Sequence, residues 1–143
     1  MKKILAAVLV LLTLFASTVG LQVRLPALSS YDVVARTRSV VVMVDTGNAV
    51  IDRTTVSFSM LMAAVLRETA VGIALDHNNH IFVSVTADCG SRKFAVTGRR
   101  GRIGGRAFAE TPRVVAMTVA AEDSLEDAVI GYVCYKKGGM VAE

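Results

Sequence analysis

The sequence predicts a mainly β protein, a single antiparallel β-barrel preceded by an N-terminal signal peptide or membrane-anchor helix. Two observations predict the β class: runs rich in Val, Ile, Thr and aromatic residues recur at roughly ten-residue spacing, and Gly or polar clusters separate them. A third observation sets the N-terminus apart, because its apolar stretch is continuous and contains no turn residues. We therefore expect an export segment followed by one β domain.

The export segment is predicted at residues 1–20. Met1-Lys2-Lys3 is basic, residues 4–16 are almost entirely apolar, and small residues follow at 17–20. This order is typical of a secretory signal peptide, which predicts a periplasmic or secreted protein. The apolar stretch also approaches the lower length limit for crossing a bilayer, so an uncleaved membrane anchor remains an alternative.

Residues 21–38 are predicted to be a linker, and residues 39–143 are predicted to form the β-barrel domain. The linker contains Pro26 and polar residues and shows no sustained hydrophobic period. The length beyond the export segment suffices for one domain with a core, but not for two of ordinary size. The net charge of +4 includes Lys2 and Lys3, so the remaining chain is only weakly basic. Such a charge gives no reason to expect nucleic acid as a partner.

The first predicted strand covers residues 39–45, where valine dominates, and Thr46-Gly47-Asn48 supplies turn residues after it. Residues 59–68 fit either a helix capped by Ser59 or a buried strand, because Met, Leu and Ala suit both. The sequence leaves this segment open between the two structures.

A β-hairpin is predicted over residues 71–86. Residues 71–75 and 80–86 are two β-type runs, and Asp76-His77-Asn78-Asn79 separates them. This tetrapeptide is a turn signal, because Asn tolerates a positive φ nearly as well as Gly. The remaining predicted strands are residues 93–97, 106–110, 113–120 and 128–135.

Three segments, in order, resemble the N-terminal half of a trypsin-like serine protease of the chymotrypsin fold, in the style of the HtrA proteases. Ser39-Val40-Val41 is similar to the opening strand of that family. The runs from Val71 to Cys89 are similar to its hairpin, whose second strand ends at the catalytic His. Residues 123–130 are similar to the strand whose Asp orients that His. The resemblance implies the first of the family's two barrels.

The resemblance carries two candidate catalytic residues onto this chain. Asp127 matches the family Asp, and Asp88 stands where the family has its His. A carboxylate with an ordinary pKa of about 4 is a weak base toward a serine hydroxyl. No serine follows Ser124, so the nucleophile is missing. The implied protein is therefore an exported, truncated relative of a serine endopeptidase that is inactive alone and needs no cofactor.

Two polar clusters have other interpretations. His77 and His80 beside Asp76 have a spacing that metal ligands also use, but a polar turn explains them, and we predict no metal site. The Arg/Gly segment at residues 97–106 suggests anion binding by Arg99, Arg100 and Arg102. A solvated hairpin explains the same segment, and Phe108 alone offers base stacking, so nucleic acid is not the expected partner. Anionic lipid or a cell-wall polymer is the secondary hypothesis.

The cysteines and the partners depend on the resemblance. In an oxidising compartment, Cys89 and Cys134 are compatible with one disulfide. The family topology instead implies free or intermolecular thiols, because an extended strand from Asp127 would carry Cys134 about 20 Å from Cys89. A lone first barrel also implies a partner: a second barrel from another chain or reading frame, or self-association through residues 60–66 and 128–133.

A rival interpretation needs no protease ancestry. The same features suit a small exported or membrane-tethered β-sheet module with a binding or structural role. An uncleaved N-terminus would add the membrane as a partner.

Overall fold

The computed structural model describes residues 28–138 as one open antiparallel β-sheet with a single helix packed on one face. The predicted export segment lies outside the described residues. Within residues 28–138 no helix is long and apolar enough to cross a membrane. The strands are β1 (Tyr31–Arg36), β2 (Val40–Asp45), β3 (Val50–Asp52), β4 (Thr55–Thr69), β5 (Gly72–Asp88), β6 (Lys93–Ile103), β7 (Arg106–Glu110) and β8 (Thr118–Val119), and the helix is α1 (Leu125–Lys136).

The sheet has eight strands, and its main path runs β1-β2-β4-β5-β6-β7. The short strands β3 and β8 pair with β4 and β6, respectively. Between residues 28 and 138, the edge strands β1 and β7 do not pair with each other, so the predicted barrel is wrong although the mainly β antiparallel class is confirmed. The segment predicted to supply a last strand, residues 128–135, forms α1 instead and covers one sheet face.

The edge strand β1 lies inside the predicted linker of residues 21–38. It pairs with β2 from Tyr31↔Asp45 to Arg36↔Val41, with a register shift between Val33 and Ala35. The charges within β1 obscure its apolar residues, which explains why a linker was expected there. The described domain therefore includes residues before position 39.

Residues 59–68, which fit both a helix and a strand, belong to β4. The alternation of apolar and polar residues is weak in this strand, because both of its faces bury apolar side chains. Val56 and Phe58 face the helix side, whereas Leu61 and Ala63 belong to the core on the other face. A strand buried on two faces lacks the period of two that would distinguish it from a helix.

The predicted hairpin turn at residues 76–79 is wrong, because these residues form a wide bulge inside β5. They lie between the register pairs Ala63↔His80 and Val65↔Leu75, so four β5 residues face one residue of β4. The Asp76 carboxylate accepts hydrogen bonds from the Asn78 backbone N–H at 2.9 Å and from the Asn79 side-chain amide at 2.8 Å. These residues make turn-type hydrogen bonds, but tertiary pairing places them in a bulge within one long strand.

The helix α1 replaces the strand predicted at residues 128–135. Ser124 caps it, since its Oγ accepts a hydrogen bond from the Asp127 N–H at 3.1 Å. The acidic first turn and Lys136 in the last turn suit the helix dipole. Of the strand predicted at residues 113–120, only β8 forms.

One face of α1 is buried against the sheet. Val129, Ile130 and Val133 are among its buried residues. These side chains belong to residues 128–133, which were predicted as a surface for self-association. They instead form part of the core of this chain, and the helical spacing brings them to one face.

Cys89 and Cys134 form a disulfide with a Cα–Cα distance of 5.8 Å, so the prediction of free thiols is wrong. That prediction placed Cys134 on an extended strand. A helix rises only about 1.5 Å per residue, and α1 lies back over the β5–β6 turn, so the two cysteines meet. A disulfide is typical of an oxidising, extracytoplasmic compartment, which agrees with the prediction of export.

We expect the Cys89→Ser/Cys134→Ser double variant to lose about 4 kcal/mol of unfolding free energy, because the bridge closes a long loop with a sequence separation of 45 residues. Urea denaturation of the variant and the oxidised wild type measures this loss. Reductant should destabilise the wild type and leave the variant unchanged. Equal unfolding midpoints for the oxidised wild type and the variant would contradict the prediction.

Candidate functional site

The helix α1 is fixed over the sheet at both of its ends. Near its C-terminus, Cys134 is bridged to Cys89 at the end of β5. In its first turn, Asp127 forms an ion pair with Arg92 from the β5–β6 turn. Both contacts come from the β5–β6 turn. Together they fix the distance of α1 from the sheet and its direction.

Arg92 has an unusual backbone that aims its side chain at α1. Its φ of 55° lies in the left-handed region, which is uncommon for a residue with a Cβ. Its guanidinium Nη2 also donates to the Asp127 carbonyl at 2.8 Å. Gly131 leaves room for it, since a Cβ there would lie 3.3 Å from Nη2.

A third contact joins α1 to the edge of the sheet. The Tyr132 hydroxyl donates to Asp32 Oδ2 at 2.8 Å, and the Thr46 hydroxyl donates to the same oxygen at 2.9 Å. The hydrogen bond from Tyr132, followed by that from Thr46, lowers the pKa of Asp32. Donation to Asp32 in turn raises the pKa of Tyr132.

A cleft lies between the N-terminal half of α1 and the sheet, and its volume is about 230 Å³. Nearly all of its lining is apolar and comes from the helix-facing side chains of three adjacent strands and α1. The lining residues are Met60 and Met62 of β4, Ile81, Val83 and Val85 of β5, Phe94, Val96 and Arg99 of β6, and Leu125, Glu126, Val129 and Ile130 of α1.

The register of the sheet explains how the cleft is built. Met60 pairs with Val83, and Met62 pairs with Ile81, so these side chains form two adjacent rows on the helix-facing surface. Val83 is buried, whereas Met60, Met62 and Ile81 remain partly exposed. The helix thus covers one end of the rows and leaves the other end accessible.

The cleft has two charged lining residues, Arg99 and Glu126, and both are exposed. Glu110 of β7 stands opposite Arg99 in the register of the sheet. The surroundings of the cleft therefore combine a cation with carboxylates, while its interior is apolar. Such a combination can accept an apolar group and orient a polar head beside it.

The three arginines predicted as one anion site do not share a face. Arg99 lines the cleft, whereas Arg100 lies on the opposite face with its Cζ 4.9 Å from the centre of the Phe82 ring. Arg102 pairs in register with His80 and donates to the Gly105 carbonyl at 3.2 Å. Strand alternation places Arg99 on one face of the sheet and Arg100 and Arg102 on the other.

The two carboxylates implied as catalytic have structural partners. Asp88 ends β5, and its Oδ1 accepts hydrogen bonds from the N–H groups of Gly90 at 2.8 Å and Ser91 at 3.2 Å. Asp127 lies in the first turn of α1 and is paired with Arg92. Turn formation and helix docking account for both residues, and the catalytic roles implied by the resemblance stay a prediction.

The histidines belong to the bulge of β5 and the sheet beside it. His80 Nδ1 lies 2.8 Å from the His77 carbonyl oxygen, and its ring contacts Phe82 edge-on with centroids 5.5 Å apart. In the part of the chain that the structure describes, no three His, Cys, Asp or Glu side chains form a group that could hold a metal ion.

Sequence reasoning missed the cleft because it treated residues 128–135 as a strand. Two signals were present. Ser124 stands three residues before Asp127, which is the spacing of a capping box. Val129, Ile130 and Val133 have the three-and-four spacing of one helical face.

We expect Tyr132→Phe to lower the unfolding free energy, and the loss to depend on pH. The lowered pKa of Asp32 stabilises the fold above the unfolded value of about 3.9, and this term disappears as pH falls through the folded pKa. The raised pKa of Tyr132 stabilises the fold below about 10, and that term disappears as pH rises through the folded pKa. Urea denaturation from about pH 2 to about pH 11 measures both limits.

The matched control for this variant is Tyr135→Phe, because Tyr135 is 73% exposed and lies on the same helix. It should leave stability almost unchanged. A destabilisation by Tyr132→Phe that is equal at every pH would show that the Asp32 contact is not its cause.

Comparison with known proteins identifies no relative of this chain. No family model, no curated protein and no solved structure matches this chain. The resemblance to trypsin-like proteases therefore remains a sequence-based prediction, and a function must be argued from the geometry of the molecule.

Proposed function

We propose that this protein is an exported binding module that holds the alkyl chain of a small single-chain amphiphile in the cleft between α1 and the sheet. The observation that carries the proposal is the cleft itself, an apolar volume of about 230 Å³ with charged residues only at Arg99 and Glu126. An exported module without protease ancestry was the rival interpretation of the sequence.

The size of the cleft supports one narrow apolar group. Its 230 Å³ exceeds the ~150 Å³ of a dry apolar cavity that binds benzene. It is smaller than the ~300 Å³ at which sites for drug-sized ligands begin. A short alkyl chain fits between these limits, whereas two chains or a fused ring system would not.

The lining can adapt to such a chain. Met60 and Met62 contribute unbranched, polarisable side chains that fill irregular space. The walls are nevertheless fixed, because the disulfide and the pair formed by Arg92 and Asp127 hold α1 in place. Binding in a preformed cleft orders little of the protein, which lowers the entropic cost of association.

The charges favour a head group that carries both signs. Arg99 can pair with a phosphate or carboxylate, and Glu126 can pair with an ammonium group. A zwitterionic head satisfies both residues together. Glu126 and Glu110 would repel a purely anionic head group. Arg99 would repel a purely cationic one.

The truncated protease relative that the resemblance implies has less support. Asp127 lies on a helix, the sheet is open, and Cys89 is bridged to Cys134. A fluorophosphonate probe for serine hydrolases separates the two functions. Strong labelling of the purified chain would favour an activated serine over the binding module.

Methyl NMR of the methionines tests binding in the cleft without any mutation. The chain contains six methionines, of which Met60 and Met62 line the cleft and Met43 packs in the core of the other sheet face. We expect octylphosphocholine, kept below its micellar concentration, to shift the ¹³Cε–methyl signals of Met60 and Met62 and to leave Met43 unchanged.

A filling variant supplies the control for this experiment. Val96→Phe places a ring in the cleft and should weaken binding at least tenfold, whereas Val50→Phe enlarges a side chain exposed on β3 and should not. Unshifted Met60 and Met62 signals, or equal binding by the two variants, would exclude the cleft as the site.

Removing the charges of Arg99 and Glu126 one at a time tests the head-group preference. We expect Arg99→Gln to weaken octanoate binding by a factor of about 1.4 to 5, since exposed ion pairs are worth only about 0.2–1 kcal/mol. Glu126→Gln should strengthen octanoate binding by a similar factor and weaken octylammonium binding. Calorimetric titration measures these changes, and octanol serves as the uncharged control. Identical effects of either variant on octanoate and octanol would rule out a role for these charges.

A further inference from the structure

Three β-turns lie at the same end of the sheet. They are the β1–β2, β4–β5 and β6–β7 turns, and antiparallel pairing along the sheet makes these hairpins close in the same direction. One cross-strand row marks the level of this end, because Arg36 pairs with Val41, Val41 with Ala63, Ala63 with His80 and His80 with Arg102. We call this end, with the three turns, the basic tip surface.

Side-chain contacts hold the parts of the basic tip surface together. An ion pair joins Arg36 at the end of β1 to Glu68 near the β4–β5 turn. The β6–β7 turn is bonded to the β5 bulge, because the Gly104 N–H donates to Asn79 Oδ1 at 2.9 Å and the Gly105 N–H donates to the Asn78 carbonyl at 3.1 Å. The tips therefore form one connected surface.

The charge of this surface is positive. It has two carboxylates, of which Glu68 is paired with Arg36 and Asp76 is bonded to the amides of the bulge. The opposite end of the sheet carries charges of both signs, since Asp45, Asp52 and Asp88 end β2, β3 and β5 there, and Arg53, Arg92 and Lys93 lie in or next to its turns. The arginines of the basic tip surface are Arg36, Arg38, Arg67, Arg102 and Arg106.

Each tip also exposes an aliphatic side chain next to arginine. Val40 is 41% exposed after the β1–β2 turn, and Leu66 is 55% exposed in β4. Val71 is 99% exposed in the β4–β5 turn, and Ile103 is 58% exposed at the β6–β7 turn between Arg102 and Arg106. Apolar groups that project at separate points, with cations around them, suit the boundary between lipid head groups and acyl chains.

We propose that the basic tip surface docks onto an anionic phospholipid bilayer. The arginines contact lipid phosphates, and the exposed aliphatic side chains of the tips enter the interface. A soluble polyanion would engage the arginines but would gain nothing from Val71 and Ile103. The proposal does not rest on the cleft, which lies between α1 and the helix-facing side of the sheet.

The chain contains no tryptophan, so a single tryptophan reports on one position without background. The full chain is prepared as three variants, Ile103→Trp and Val71→Trp on the basic tip surface and Val50→Trp on β3. Val50 is 65% exposed and lies away from the basic tip surface, which makes it the matched control. Two reporters at the tips keep the experiment decisive if one substitution perturbs folding.

Vesicles of about 30 mol% phosphatidylglycerol in phosphatidylcholine should shift the emission of both tip reporters to the blue, because anionic lipid attracts the arginines. The Val50→Trp emission should not move. Binding should weaken roughly tenfold between about 0.1 M and 0.5 M salt, because the Debye length shortens. Vesicles of phosphatidylcholine alone, and inorganic phosphate without lipid, should give no shift at any position.

Charge variants complete the experiment. In the Ile103→Trp background, Arg102→Gln/Arg106→Gln should abolish the shift, while Arg53→Gln/Arg113→Gln, which removes two arginines outside the basic tip surface, should preserve it. The proposal would be overturned if anionic vesicles did not shift the emission of the tip reporters, or if they shifted the Val50→Trp emission equally. A shift produced by inorganic phosphate alone would overturn it too. Attachment through the N-terminal segment alone would leave the tip emission unchanged and would overturn it as well.

Discussion

The attachment of α1 to the β5–β6 turn is the constraint on which the rest of this structure depends. The disulfide between Cys89 and Cys134 fixes the C-terminal half of the helix, and the ion pair between Arg92 and Asp127 fixes its first turn. With both contacts in place, Val129, Ile130 and Val133 are buried against the sheet. The sheet can then remain open, because a helix protects the face that strand closure would have enclosed.

The difference in length between the helix and the strands produces the cleft. The 12 residues of α1 extend about 18 Å, whereas the 15 residues of β4 and the 17 of β5 would extend about 50 Å or more if straight. The helix therefore cannot cover the whole face. Met60, Met62 and Ile81 lie at its margin, partly buried and able to contact a ligand.

The two proposals assign different parts of one sheet to different tasks. The cleft uses the helix-facing side chains, and the basic tip surface uses the turns at one end of the strands. Both follow from strand alternation and strand direction, which place Arg99 beside the cleft but Arg100 on the opposite face with Phe82. A membrane-docking end and an amphiphile-binding cleft are chemically compatible, because a bilayer is a source of amphiphiles.

The sequence by itself determined the local features of this protein: the antiparallel β class, the turn-forming chemistry of residues 76–79, the strands β2 and β7, and parts of β5 and β6. These features follow from β-branched runs and turn residues, which act over a few neighbours. Only the tertiary structure decided that residues 76–79 bulge, that residues 59–68 belong to a strand and that Cys89 meets Cys134. Each of these outcomes depends on what packs against the segment, and burial on both faces removes the periodicity from which a sequence is interpreted.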